Sequence, residues 1–159
     1  MKNYLFDGES ILQAIAAKFA FQLDEQGIPR LRSDPATAAV GLADKETIGG
    51  TIFLTNYRLF FQSHGANRFS GTLSIILPTV VDVRDTSRFL TKKMDVSTSN
   101  YDFEFTAWGI PKLIAAVNES RAALKPEQAD VFLAAAQATP TKYGDGLKIF
   151  PPLMNLPSR

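Results

Sequence analysis

The stretch Gly49–Gln62 limits what this chain can fold into more than any other part of the sequence. It reads Gly-Gly-Thr-Ile-Phe-Leu-Thr-Asn-Tyr-Arg-Leu-Phe-Phe-Gln, with an apolar run on each side of the polar tetrad Thr55–Arg58. β-Branched and aromatic residues suit the half-buried surface of a pleated strand, and Asn adopts turn conformations that most residues avoid. The stretch therefore predicts two antiparallel strands joined by a tight turn.

The same fourteen residues resemble the signature of GRAM domains, a branch of the pleckstrin-homology (PH) superfold, where Gly-x-hydrophobic-x-Leu-Thr-Asn-x-Arg-Leu-hydrophobic-Phe recurs. Gly8-Glu9 resembles the pair that often precedes the family's first strand, and Pro78–Asp85 resembles its join between strands four and five. The resemblance implies that Arg58 is structural, fixing the turn or a neighbouring carboxylate, rather than a ligand contact.

The resemblance also implies a fold class, which is mainly β (α+β). It is a PH-like bent antiparallel sheet or partly open barrel of about seven strands, capped by a C-terminal α-helix. A second helix and an extended tail are expected after that helix. Similarity to PH-like domains further implies a non-catalytic binding module.

Alternation with a period of two predicts the remaining strands. Ile15–Leu23 carries apolar side chains at every second position, although helical spacing nearby leaves open a short helical turn near Glu9–Gln13. Residues 24–48 show no sustained period and predict a long loop. Further strands are predicted at Gly71–Leu77, Val80–Arg84, Arg88–Ser97 and Tyr101–Thr106.

The period changes after Trp108, a residue that we expect to seal the core. Apolar positions follow helical spacing from Pro111, which suits a first helical turn. Burying each apolar residue of this helix is expected to contribute about 1.5–3 kcal/mol. Those residues are Ile110, Leu113, Ile114, Val117 and Leu124. A second helix is predicted at Glu127–Ala138.

One GRAM/PH-like domain is predicted over residues 8–124, the part of the chain that the resemblance covers. Residues 125–159 are predicted to form a C-terminal helix and a tail containing Pro and Gly. The tail is too apolar for a simple solvated linker, so we expect it to pack on the domain or on a partner. Its large apolar residues are Leu147, Ile149, Phe150, Leu153, Met154 and Leu156.

The amino-acid composition limits the kinds of partner and site that the chain is expected to have. Lys and Arg number 17 and Asp and Glu number 16, so the formal net charge is +1. No global field would concentrate nucleic acid, and any anion site must be a local patch. The chain has no Cys, which removes disulfides, thiolate zinc sites and thiol nucleophiles together. With no signal peptide at Met1–Glu9, we expect a cytoplasmic protein, or one peripheral to a membrane.

Catalysis has little support in the sequence. His64 is the one histidine, in a predicted turn, and no Gly-x-Ser-x-Gly, phosphate-loop or dinucleotide motif is present. The carboxylates of Asp82, Asp85, Asp102 and Glu104 have spacings that face water. We therefore expect no catalytic residue, no metal site and no cofactor. A hydrolase built near His64 is a remote alternative.

Protein–protein interaction or self-association is the expected function, because the charge is neutral, aromatics are abundant and the tail is apolar. The alternative is binding of an anionic lipid headgroup, such as a phosphoinositide, at a peripheral membrane surface. It rests on Lys18, Arg30 and Arg32, whose order resembles the Lys-x(n)-[Lys/Arg]-x-Arg site of some PH-like domains. Arg forks suit phosphate oxygens. Here Pro29 and a long loop depart from that pattern.

Overall fold

A computed structural model describes residues 4–22, 45–65, 67, 70–99 and 101–139. Within these ranges seven strands form one antiparallel sheet in the order β4-β3-β2-β1-β7-β6-β5. The strands are β1 Ile11–Gln22, β2 Lys45–Thr55, β3 Arg58–Ser63, β4 Thr72–Ile76, β5 Val80–Asp85, β6 Lys93–Thr98 and β7 Asp102–Ala107. Two helices follow, α1 Ile110–Ala123 and α2 Pro126–Ala138.

The central strand β1 connects the two halves of the sheet. It pairs with β2 along its whole length, whereas its ladder to β7 runs from Ala17 to Ala20. Gly50 of β2 lies opposite Ala17, and a Cβ on Gly50 would fall 2.5 Å from the ring of Phe61 and 2.3 Å from the carbonyl oxygen of Gln62. Only glycine fits at this position, because the second contact is with backbone, which cannot move aside.

The main core lies between the sheet and α1. Ala17, Phe19 and Phe21 of β1 point into it, and Phe19 contacts the rings of Phe61, Phe103 and Phe105. The apolar face of α1 closes the core with three fully buried side chains, those of Ile110, Leu113 and Val117. Hydrophobic burial of this face is the main stabilisation that holds α1 on the sheet.

A second, smaller cluster holds α2. Phe132 of α2 stacks on Tyr57, with ring centroids 4.3 Å apart, and Phe6 meets Tyr57 edge-on at 5.8 Å. Ile76 and Ala136 complete this cluster. Residues before β1 and after α1 thus contribute to the packing. The division at residue 124 stays a prediction.

The predicted fold class is confirmed, and so are the hairpin, the alternation in β1 and β7, and both helices to within one residue. β1 begins at Ile11, so no helical turn forms over residues 11–13. Two predictions are wrong at their boundaries. Residues 45–48 extend β2 instead of a loop, because they pair with β1. Residues 88–92 are not strand, because a tight turn forms there. The rest of the predicted loop, residues 24–44, and the tail from residue 140 lie outside the described residues.

Candidate binding surface

The polar tetrad between β2 and β3 forms a buried ion pair. Arg58 Nε lies 2.8 Å from Glu9 Oε1, and neither side chain is exposed. The rest of the guanidinium donates to Ser74 Oγ at 2.9 Å, to Glu9 Oε2 at 3.2 Å and to the carbonyl of Tyr4. Because its nitrogens are already paired with protein groups, Arg58 has no capacity for a ligand. Its predicted structural role and carboxylate partner are confirmed.

Aromatic rings and the turn complete this buried site. The guanidinium carbon of Arg58 lies 4.8 Å and 4.7 Å from the ring centroids of Phe6 and Phe60. Glu9 also accepts hydrogen bonds from the hydroxyl of Thr55 at 2.8 Å and from the N–H of Phe6 at 2.9 Å. A buried ion pair is stabilising only when such additional bonds satisfy the charged groups. This region, which we call the buried corner, comprises Glu9 and Thr55–Arg58.

A second tight turn, between β5 and β6, has the opposite character. The N–H of Arg88 donates to the carbonyl of Thr91 at 3.0 Å, and the N–H of Thr91 donates back at 2.9 Å. Phe89 and Leu90 occupy the two central positions and are 99% and 91% exposed. We call Arg88–Thr91 the apolar tip. The tip therefore leaves two large apolar side chains almost fully exposed.

The backbone of the tip is strained. Phe89 has φ 49°, the one positive φ among the described residues other than glycine. This left-handed conformation costs an ordinary residue about 1–2 kcal/mol. Strain of this kind tends to mark functional sites, and here no core packing of the Phe89 side chain offsets it.

The base of the tip is held by hydrogen bonds. The Ser87 hydroxyl accepts from the N–H of Lys93 at 3.0 Å, and the N–H of Ser87 donates to Asp85 Oδ1 at 2.9 Å. Ser87, first through its hydroxyl and then through its N–H, lowers the pKa of Asp85, and the charge of Lys92 adds to this. The tip therefore projects from a fixed base.

A groove of about 530 Å³ lies beside the tip. Trp108 and Leu90 line it together with Gly49 of β2, and Lys18 and Lys92 contribute cationic side chains. None of its described lining residues carries a carboxylate. Trp108 is 80% exposed, so the expectation that it seals the core is wrong. Ala107 and Ile110 take the inward positions on either side of it instead.

At the β2 side of the groove, the side chain of Asn67 holds the backbone of Gly49. Its side-chain oxygen accepts from the N–H of Gly49 at 3.1 Å, and its nitrogen donates to the carbonyl of Gly49 at 2.8 Å. A Cβ on Gly49 would meet Asn67 at 3.6 Å and His64 at 3.7 Å, which are ordinary contacts. Gly49 therefore leaves space at the groove without being required by the fold.

Positive charge surrounds the tip and the groove. No ion pair joins the side chains of Lys18, Arg88 or Lys92 to another described residue. Lys93, by contrast, forms an ion pair with Glu104, with Nζ 3.0 Å from Oε1, so its charge is already paired within the fold. The surface formed by the tip, Trp108 and these three cations is the candidate binding surface.

Only one of the three residues predicted for a lipid site is among the described residues. Lys18 is exposed on β1 and lines the groove. Arg30 and Arg32 lie outside the described residues, so the proposed triad stays a prediction. Sequence reasoning missed Phe89, Leu90 and Trp108 as surface residues. One signal was present, because Arg-Phe-Leu-Thr-Lys-Lys places an apolar pair between cations.

The described residues assemble no catalytic or metal site that we can identify. His64 lines the groove, but its hydrogen bonds within the described ranges are made by its backbone, to Gly49 and Asn67. No group of three metal-ligating side chains occurs among the described residues. No described helix is long and apolar enough to cross a bilayer. The absence of enzymatic activity stays a prediction.

The sequence matches no protein-family model, and no curated protein matches it. Among solved structures, the fold is similar to the C-terminal domain of an unknown protein from Leishmania infantum, with 16% identity and a TM-score of 0.48 over 73% of this chain and 87% of that one. It is also similar to the Vps36 N-terminal PH domain, with 15% identity and a TM-score of 0.47 over 74% of this chain and 83% of that one. Likeness at this level concerns the backbone arrangement and does not identify what a protein binds.

Proposed function

We propose that the chain is a non-catalytic binding module that attaches to anionic membrane surfaces through the candidate binding surface. The observation that carries this proposal is the near-complete exposure of Phe89 and Leu90 at the end of a strained turn. Returning such a side chain to an apolar environment is worth about 1.5–3 kcal/mol. A bilayer offers that environment to a projecting tip without needing a matching cavity.

The residues around the tip have the chemistry of a membrane interface. Trp is favoured at the boundary between headgroups and acyl chains, where its ring lies in apolar material and its N–H in water. Arg88, Lys92 and Lys18 make no ion pair with other described side chains, and each cation near an anionic leaflet adds about 1 kcal/mol. The near-neutral net charge of the chain does not oppose this, because the cations are local.

The same proposal extends to the branch of the superfold, the domain bounds and the location of the protein. The GRAM branch of the PH superfold is supported by the resemblance of residues 49–62, and it favours a domain over residues 8–124. A cytoplasmic, membrane-peripheral location would follow from the proposed activity. Arg30 and Arg32 would strengthen headgroup binding if they reach the same surface as Lys18. A protein partner, the function expected from the sequence, is the outcome that competes with this one.

Vesicle binding tests the proposal directly. The full chain is sedimented with vesicles of phosphatidylcholine alone and with vesicles that also contain phosphatidylserine. We expect binding to the anionic vesicles that weakens with salt, because the charge contribution is screened. Trp108 is the one tryptophan in the chain, so its fluorescence reports directly on this surface. Its emission is expected to shift to shorter wavelength on binding.

A matched pair of variants shows whether the tip is responsible. Phe89→Ser with Leu90→Ser is expected to reduce vesicle binding at least about tenfold, the effect of losing about 1.4 kcal/mol. Val131→Ser on α2 is the control, since Val131 is also exposed, at 67%, but lies in another element. Absence of vesicle binding, or equal binding by both variants, contradicts the proposal. Tip-dependent binding to a purified protein with none to vesicles supports the competing function.

A further inference from the structure

A second groove, of about 510 Å³, lies between the two helices and the start of β1. Ala116 and Ala123 of α1 form one wall, and Phe132 of α2 forms the other. Leu12 of β1 and Leu124 between the helices add apolar surface, and Leu12 is 55% exposed. The surface that lines the groove is therefore mostly apolar, and its volume can take a few side chains of an extended segment.

We propose that residues 147–156, from the chain's own C-terminal tail, occupy this groove. Their sequence, Leu-Lys-Ile-Phe-Pro-Pro-Leu-Met-Asn-Leu, contains six large apolar residues and a single charge. Such a segment is too apolar to remain solvated at low cost. Its two adjacent prolines exclude a regular helix and favour an extended chain, which is the shape that a groove between two helices accepts.

The length of the connection allows the tail to reach this groove. Phe132 lines the groove and lies seven residues before Thr139, which corresponds to about 10 Å along the helix axis. Residues 140–146 can span up to about 23 Å when extended, so the chain can turn back and reach the groove. A tethered segment has an effective concentration in the millimolar range, so modest contacts suffice to hold it.

Charge in the groove matches the charge in the segment. Among the described lining residues, Glu119 carries the one ionisable side chain, and no ion pair joins it to another described residue. Lys148 is the one charged residue between positions 147 and 156. We place the Lys148 ammonium near Glu119, with the apolar side chains against Leu12, Leu124 and Phe132.

Engineered cysteines provide a clean test because the chain has none of its own. Ala123→Cys lies in the groove, whereas Ala115→Cys is exposed on the same helix but does not line it. Each is combined with Leu153→Cys in the full chain and oxidised mildly at low protein concentration. We expect intramolecular disulfides at least about tenfold faster with position 123. Equal rates at both positions overturn the proposal, and disulfides between chains show instead that a second copy supplies the tail.

Tryptic cleavage gives a second measurement without cysteines. Lys142 and Lys148 lie in the tail, and a docked tail protects Lys148 from cleavage. Ala123→Arg blocks the groove at an exposed helical site, and Ala115→Arg is the control with the same change in composition. We expect cleavage at Lys148 to accelerate about tenfold in the first variant and to stay unchanged in the control. Unchanged cleavage in Ala123→Arg, with a folded circular dichroism spectrum in both, overturns the proposal.

Discussion

The buried corner and the apolar tip each contain a tight turn with two central residues between neighbouring antiparallel strands, and each contains an arginine. In the corner, Arg58 is fully buried and its guanidinium is held by Glu9 and Ser74. In the tip, Arg88 is exposed and forms no ion pair with another described residue. The aromatic residues differ in the same way, since Tyr57 is fully buried and Phe89 is almost fully exposed.

This difference separates groups that stabilise the fold from groups that are available to a partner. The polar groups around Arg58 satisfy one another, so a change there should reduce stability. Phe89 and Leu90 at the tip are almost fully exposed, so a change there should affect binding and leave the free energy of unfolding nearly intact. The predictions below test that separation, from the largest expected effect to the smallest.

Replacing Glu9 with alanine should have the largest effect. It leaves the Arg58 guanidinium buried without its carboxylate, which typically costs about 3–5 kcal/mol of the free energy of unfolding. Denaturant unfolding measures this. Arg84→Ala is the matched control, because its ion pair with Asp82 is 63% and 51% exposed and should be worth about 1 kcal/mol or less. Similar losses of stability in both variants would mean that the buried ion pair of the corner contributes no more than an exposed one.

Replacing Tyr57 with phenylalanine should stabilise the protein. The Tyr57 hydroxyl is buried and has no hydrogen-bond partner among the described residues, and leaving such a group unpaired costs about 1–3 kcal/mol. Phenylalanine keeps the ring that stacks on Phe132. We expect a gain of about 1 kcal/mol in chemical denaturation at neutral pH. A loss of stability would show that the hydroxyl has a partner.

The same variant should change the alkaline limb of the stability profile. Burial raises the pKa of Tyr57 above its ordinary value of 10.0, since the ring resists ionisation in an apolar site. The folded state then holds its proton at a pH where the unfolded state releases it. The stabilisation is complete below pH 10.0 and is lost as the pH rises toward the raised pKa. The stability of Tyr57→Phe should therefore depend less on pH above 10.0 than the stability of the natural chain.

Replacing Phe89 with glycine should separate stability from binding. Glycine adopts the left-handed backbone without a steric penalty, so we expect the free energy of unfolding to stay equal or to rise by up to about 1 kcal/mol. Vesicle binding should fall about tenfold, since an apolar side chain is lost. Leu90→Gly is the control, because Leu90 has no positive φ to relieve and glycine should not stabilise there. A destabilised Phe89→Gly variant would mean that the side chain supports the fold.

The smallest effect concerns Asp85 at the base of the tip. Its pKa should lie below the ordinary value of 3.8, and Ser87→Ala should raise it, because the hydroxyl is the largest cause of the shift. Stability that depends on this carboxylate is present above pH 3.8 and is lost as the pH falls through the lowered pKa. A side-chain titration by NMR measures both values. A pKa at 3.8 or above in the natural chain would contradict the bonding described here.

The turn of the corner could be predicted from the sequence, whereas the turn of the tip could not. Four polar residues between two apolar runs already indicate a turn, and the resemblance implies a structural Arg58 that fixes the turn or a neighbouring carboxylate. No Gly, Asn or Pro at positions 89 and 90 marks a turn, so the pattern predicts a strand there. The sequence likewise favours a core position for Trp108, because large aromatic residues are usually buried. Its exposure depends on Ala107 and Ile110 filling the inward positions.

The sequence by itself determined most of the strand positions, the two helices and the hairpin at residues 49–62. Each of these depends on the spacing of apolar residues over a few positions, and burial of one face enforces that spacing. Only the tertiary structure decided which arginine is buried and which apolar side chains remain outside. Arg58 meets Glu9 across 49 positions of the chain, and Leu90 lies beside the same groove as Trp108. Such pairs have no local pattern, because their environment is created by the closing of the sheet.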